Sequence, residues 1–246
     1  MMSSIKILWL YPSVLNLHGD RGNIMALQRI GGMMGLPVEI VRVESPGDEL
    51  PLDDCCLIYV GAGQVRDMEN IARSLSSDRD RLDSFISRGG YILATGSSGC
   101  LLARHTRRAD GSVIPGLGLL PMICTERETV YGDDIWFDTA SGIEIIGNQI
   151  QVVDTQLEQG AEAFGHLLYG YGNNGKEDEG CRRGNIIFTN TLGPLLVKNP
   201  RFTQDLLERL AVMAGCEGYH MLNSADMDYE DKSAELIRAF IKKKMA

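Results

Sequence analysis

Residues 91–95, Tyr-Ile-Leu-Ala-Thr, form an apolar run that breaks at Gly96-Ser97-Ser98-Gly99, and a second apolar run from Cys100 to Ala103 follows at once. A strand that turns this sharply into a helix belongs to an open α/β sheet, with the turn at the strand's carboxyl edge. The upstream sequence repeats the alternation. Residues 5–11, 38–43 and 55–60 read as strands, the first apolar but for Lys6 and the last throughout, as expected of strands covered on both faces. Residues 24–34 read as a helix capped by Asn23 and stopped by Gly35. Residues 67–87 read as one long helix with Met68, Ile71, Leu75, Leu82 and Phe85 as its apolar stripe. This order predicts an α/β fold with a mostly parallel central sheet and helices on both faces.

The pattern changes after Arg104. Residues 104–111 are polar and basic and read as an exposed loop. Residues 128–131, 135–137, 143–146 and 149–153 are short strand-like pieces between Gly, Asp and Asn turns, expected to extend the sheet as antiparallel strands without a core of their own. Residues 166–171 and 185–190 are two more strands around a hydrophilic turn. Residues 202–213 and 233–244 are helices, the latter with Leu236, Ile237, Phe240 and Ile241 on one face. No linker or repeat interrupts the chain. The reading is one domain over residues 1–246, with 201–246 as its C-terminal helical part.

Charge and composition narrow the function classes. Twenty-four Lys and Arg against 33 Asp and Glu give a net charge of −9, which disfavours a nucleic-acid partner. The one dense basic run, Lys242-Lys243-Lys244, reads as the end of a helix. Six cysteines and four histidines show no metal-ligand spacing, so no metal or other cofactor is expected. The first residues lack a signal-peptide cleavage site and no apolar run reaches membrane-spanning length, so a reduced, cytoplasmic location is expected.

Three loops meet the carboxyl edge of the predicted sheet: residues 12–22, 61–66 and 96–99. The candidate pocket is built from Gly61, Gly63, Gln64, Ser97, Ser98 and Cys100. The elbow position itself is Gly96, which carries no side chain. Ser97 and Ser98 have no base identifiable from sequence, and Cys100 falls one turn into the helix, where a small buried hydrophobe is the plainer reading. Gly61 and Gly63 fit either turn duty or backbone amides aimed at a ligand.

Beyond these local signals, residues 10–23, Leu-Tyr-Pro-Ser-Val-Leu-Asn-Leu-His-Gly-Asp-Arg-Gly-Asn, resemble the start of the class I glutamine amidotransferases of the cobyric-acid-synthase-like branch. The resemblance recurs at Gly61-Ala62-Gly63-Gln64, at residues 115–120 and 169–175, at Glu179-Gly180, and at residues 193–200, Gly-Pro-Leu-Leu-Val-Lys-Asn-Pro. It is strongest with the small amidotransferase subunits of lipid II isoglutaminyl synthases, which act beside a Mur-ligase-like subunit. The resemblance implies a flavodoxin-like core and a cysteine on the elbow that attacks the glutamine amide. It also implies a histidine base before the Gly-Pro-Leu-Leu block, and backbone amides that hold the oxyanion. This chain departs at both catalytic positions: Gly96 stands for the cysteine and Leu192 for the histidine. Glycine cannot form an acyl intermediate and leucine cannot accept a proton. The resemblance therefore implies no catalytic residue, a Mur-ligase-like protein as partner, and a pocket that glycine in place of cysteine would enlarge. Two further readings remain open. One is an active hydrolase using Cys100 or a serine, with His105 or His166 as base. The other is a binding protein for glutamine or another small molecule.

Overall fold

The computed structural model of the protein describes residues 4–246. The chain opens with β1 (Ile5–Leu10), α1 (Arg21–Met34), β2 (Val38–Val43), β3 (Cys55–Val60), α2 (Met68–Ser76), α3 (Arg79–Ser87), β4 (Tyr91–Thr95) and the one-turn α4 (Gly99–Leu102). Then come β5 (His105–Arg107), β6 (Val113–Pro115), β7 (Met122–Thr139), β8 (Glu144–Leu157), β9 (Gly165–Tyr169), β10 (Asp178–Glu179), β11 (Cys181–Arg183) and β12 (Ile186–Thr189). Helices α5 (Leu195–Lys198), α6 (Pro200–Ala214) and α7 (Asp228–Met245) close it.

The first sheet runs β11-β12-β4-β3-β1-β2, with every neighbouring pair parallel except β11 on β12. All six residues of β3 are buried, because apolar layers cover both faces of this central strand. Edge strand β2 is half exposed and carries Glu39 and Arg42, charges that discourage further strand addition. Strand β1 ends at Leu10 because Tyr11 turns into the left-handed region at φ 46°. Helix α1 starts at Arg21, two residues before the expected cap. Asn23 lies inside it and its side chain points into the core instead. The expected long helix over 67–87 is two helices. At the break the Ser77 hydroxyl donates to the Ser74 carbonyl, competing with continuation of the helix. Both halves still deliver their stripe, Met68, Ile71, Leu75, Leu82 and Phe85, to one core.

Of the downstream strands only β11 and β12 join the first sheet; the others do not extend it. They form a second six-stranded sheet in which β10-β9-β7-β5-β6 run in order and β8 pairs with β7. The four short pieces expected there are segments of two long strands, β7 and β8. A bulge between Glu126 and Tyr131 lets the hairpin bend without losing its pairing. The segment expected as a loop over 104–111 contains β5, whose Thr106 is fully buried between β6 and β7. The second sheet's apolar residues join the cores flanking the first. Met122, Cys124 and Val153 pack with Leu101 and Phe188 on one side. Ile135, Phe137 and Ile145 pack with Phe202 and Leu206 on the other.

Phe137, Phe164 and Phe202 form an edge-to-face relay from β7 to α6, with centroids 5.8 and 5.6 Å apart. Phe137 is fully buried. Phe137→Ala should therefore cost about 3–5 kcal/mol of stability, read as a lower urea midpoint. Circular dichroism and tryptophan fluorescence should report coincident transitions, since the two sheets share their cores.

Candidate functional site

Backbone geometry at the elbow follows from the sequence break. Thr95 is extended, and Gly96 swings to φ 59°, a left-handed conformation that a residue with a Cβ adopts only under strain. A tight helical turn over Gly96–Ser98 then leads into α4. Beside it runs the Gly61-Ala62-Gly63 loop that follows β3. A Cβ on Gly61 would lie 2.4 Å from the Leu15 carbonyl oxygen, so only glycine lets the loops over 12–22 and 61–66 touch.

A buried carboxylate ties these loops to the sheet. Asp20 Oδ1 accepts from the Tyr59 hydroxyl at 2.7 Å and the Thr95 hydroxyl at 3.0 Å, and Oδ2 accepts from the Ala62 amide at 3.2 Å. Asn23 donates to Tyr59 at 2.6 Å and accepts from the Leu196 amide at 2.7 Å, extending the network to α5. Burial raises the Asp20 carboxyl to about 6, against the downward pull of those three donors.

The serines of the elbow are spoken for. Ser97 accepts from the Gly63 amide at 3.0 Å and donates back to the Gly63 carbonyl. The loop amide expected to face a ligand thus bonds within the chain. Ser98 is fully buried and bonds the carbonyls of Val60 and Thr95. Leu192 is anchored by paired backbone bonds to Asn148 of β8, with Leu192 N–H to the Asn148 carbonyl at 2.7 Å. Its side chain meets the elbow: a Cβ on Gly96 would lie 3.0 Å from Leu192 Cδ2 and 3.2 Å from Ala62 Cβ. Glycine at 96 does not enlarge the pocket there, because leucine packs into the space.

In front of this contact lies an open cavity of about 350 Å³. Of the sequence-derived candidates, Gly63, Gln64, Ser97 and Leu192 line it, while Gly61, Ser98 and Cys100 do not. Its apolar wall includes Leu17, Val65, Ile150 and Val152. Its polar rim holds His18, Arg66 and an Arg108–Glu126 ion pair at 2.7 Å. These rim residues escaped the sequence reading because they carry no motif of their own and come from separate segments. Signals existed for Arg66, at the end of the 61–66 loop, and for His18, inside the 10–23 block, where φ is 60° and burial lowers the imidazole. His105 and His166 sit on β5 and β9, outside the cavity lining.

Cys100 is 1% exposed and faces the second sheet. It shares a hydrogen bond with Cys124 that lowers the Cys100 thiol and holds the Cys124 thiol well above its usual range. Both motif blocks retained downstream have packing roles. Asn173 bonds Gly180 through both amide atoms and accepts from Asn190, while Glu179 accepts from Thr189 and Asn190. Pro194 covers Gly22, and Leu195 and Leu196 enter the core. Among the described residues no group of His, Cys, Asp and Glu could hold a metal ion, and no helix is long and apolar enough to cross a membrane.

No family model matches the sequence. Over 215 residues, 87% of each chain, it is 27% identical to the GatD subunit of lipid II isoglutaminyl synthase (glutamine-hydrolyzing) from Staphylococcus aureus. The corresponding subunit of Streptococcus pneumoniae is 27% identical over 214 residues, 82% of this chain and 79% of that one. The fold is similar to a crystallised glutamine amidotransferase, with a TM-score of 0.56, 17% identity and coverage of 83% of this chain and 98% of the other. It is also similar to a chain of PurLQS from Thermotoga maritima, with a TM-score of 0.59, 15% identity and coverage of 87% and 98%. The architecture is the three-layer, flavodoxin-like fold of class I glutamine amidotransferases, with a mostly parallel sheet and extra antiparallel strands.

Two outcomes follow from the site's chemistry. Cys100 should resist iodoacetamide in the native state, and intact-mass labelling should show it modified only after unfolding. Asp20 carries a folded-state pKa above its unfolded value, so its contribution is present below about pH 4 and is lost as pH rises through about 6. That loss amounts to up to about 3 kcal/mol. Asp20→Asn, although weaker overall because its amide opposes the Ala62 N–H, should flatten the fall in urea-unfolding free energy between these pH values.

Proposed function

We propose that this chain, a class I glutamine amidotransferase family member related to GatD-like amidotransferase subunits, is a non-hydrolysing subunit that docks to a Mur-ligase-like partner acting on a cell-wall precursor. The observation that carries the reading is the packing of Leu192 against Gly96. Glutamine hydrolysis by a thioester route needs an attacking sulfur on the elbow and an imidazole to take its proton. Here an alkyl group rests against a bare α-carbon. The neighbouring amide of Gly63, which would serve a developing oxyanion, is bonded by Ser97. Cys100 gives no substitute, since it lies off the cavity and faces Cys124.

What the subunit offers a partner is the surface around the cavity mouth. Leu17 and Ile150 there are each over one-third exposed, and Arg66 and Arg108 rise beside them. These side chains form a mixed apolar and polar rim, in which Glu126 offsets the Arg108 charge and Asp67 lies 3.9 Å from Arg66. A partner would present complementary apolar and hydrogen-bonding groups to it.

Purified protein should release no ammonia from glutamine, alone or with the ligase, above the rate of a boiled control. Turnover abolished by Cys100→Ala would overturn the reading. Gly96→Cys alone should be destabilised by roughly 1–3 kcal/mol, because it forces a side chain into the left-handed region and against Leu192. Gly96→Cys with Leu192→His relieves the contact and restores both groups. Any recovered glutaminase should therefore require the pair, since nucleophile and base act as a unit. Docking is checked separately by size-exclusion chromatography with the ligase, where co-elution is expected and separate elution rejects the pairing.

A further inference from the structure

Trp9 is 6% exposed, and its indole Nε1–H is buried with no hydrogen-bond partner among the described residues. A buried donor left unpaired costs free energy, so the group calls for a partner that the chain itself does not supply. Trp9 stands one residue before the end of β1, opposite Arg42 of edge strand β2. Its side chain lines an open cavity of about 400 Å³ between β2, the start of α1 and the loop that follows β1. This is the carboxyl edge of the parallel strands, where open α/β sheets take their ligands. The cavity shares no lining residue with the one in front of the elbow.

No carboxylate lines this cavity among the described residues, although the chain carries a net charge of −9. Arg21 stands on its wall, and the Arg21 guanidinium makes no ion pair among the described residues. The Arg21 backbone amide donates to Asn16 Oδ1 at 2.9 Å. That bond caps the first turn of α1, so the cation open to a ligand is the side chain rather than the helix end. Arg42 is held by Glu44 at 2.7 Å and lies over the Trp9 ring at 5.3 Å. More than half exposed, the Arg42 side chain can swing aside without disturbing the core. Met25, also more than half exposed, and Ile40 supply apolar wall.

We infer that this cavity binds a small carboxylate that carries an apolar tail. One carboxylate oxygen accepts the Trp9 Nε1–H once Arg42 turns off the ring, and the Arg21 guanidinium pairs with the other. The tail lies against Met25 and Ile40. One unpaired guanidinium matches one negative charge, which favours a carboxylate over a phosphate dianion. The site goes beyond the docking role and does not depend on it.

Hexanoate titrated into the full chain at neutral pH and low salt should move the Trp9 indole proton resonance downfield. The shift should saturate with a Kd of about 0.5–20 mM, the range open to so small a ligand. Trp136→Phe leaves a single indole resonance and so assigns Trp9. In the unmodified chain Trp136 is the internal control, since its indole N–H is also unpaired but it does not line this cavity. Hexanamide, with the same tail and no charge, should bind at least about tenfold more weakly, and so should hexanoate to Arg21→Gln. Arg21 is exposed and outside the core, so that substitution leaves the fold intact. A Trp9 resonance unmoved at about 50 mM hexanoate would overturn the inference. So would equal shifts from hexanamide, inorganic phosphate binding more tightly than hexanoate, or unchanged affinity in Arg21→Gln. The glutaminase and co-elution results bear on none of these readouts.

Discussion

The Asp20 carboxylate is the point on which the upper edge of the sheet depends. It draws hydrogen bonds from β3 through Tyr59, from the end of β4 through Thr95, and from the loop after β3 through the Ala62 amide. The loop that carries Asp20, β3 with the loop after it, and the end of β4 are thus held by one buried group, and Asn23 carries the connection to the start of α5. Leaving any of those donors unpaired in the interior costs free energy, so the loops have few alternative arrangements. The price is a carboxyl kept in a poorly solvating place, visible in its raised pKa.

Within that frame the elbow turns on a residue with no side chain. Gly96 holds the left-handed turn, next to Ser97 of the cavity lining, and Leu192 packs against it. The two positions are complementary in volume as well as in chemistry. A thiol at 96 would press on the leucine, and a histidine at 192 would withdraw the methyl groups that now cover the turn. The hydroxyl of Ser97 completes the closure by bonding both backbone groups of Gly63. An apolar contact and a local hydrogen-bonded clasp thus close the elbow against the loop after β3.

The central sheet was legible in the sequence because buried parallel strands are written as near-continuous apolar runs, a signature carried by β3, by β4 and, apart from Lys6, by β1. The second sheet was less so. Strands β7 and β8 are interrupted by Gly132, Asp133, Asp134, Gly147 and Asn148, which read as turns when taken alone. Pairing across the hairpin, with a bulge to absorb the irregularity, overrides those local preferences. Helix α7 shows the same limit in another form. Leu236, Ile237, Phe240 and Ile241 cluster on one side of the helix, and the ion pairs to distant arginines and acids, with buried Ile241, leave Leu236 and Phe240 exposed.

By itself the sequence determined the alternation of strands and helices, and that position 96 carries no side chain and position 192 an alkyl group. Each is a property of a side chain or a local pattern, and needs no partner to be read. Tertiary structure decided that Leu192 rests on Gly96, that Ser97 satisfies Gly63, and that His18, Arg66, Arg108 and Glu126 gather around one cavity. Those contacts join residues far apart along the chain. Hydrophobic patterning selects which face of an element is buried, whereas the register between elements depends on packing and hydrogen bonds formed only when the whole chain has closed.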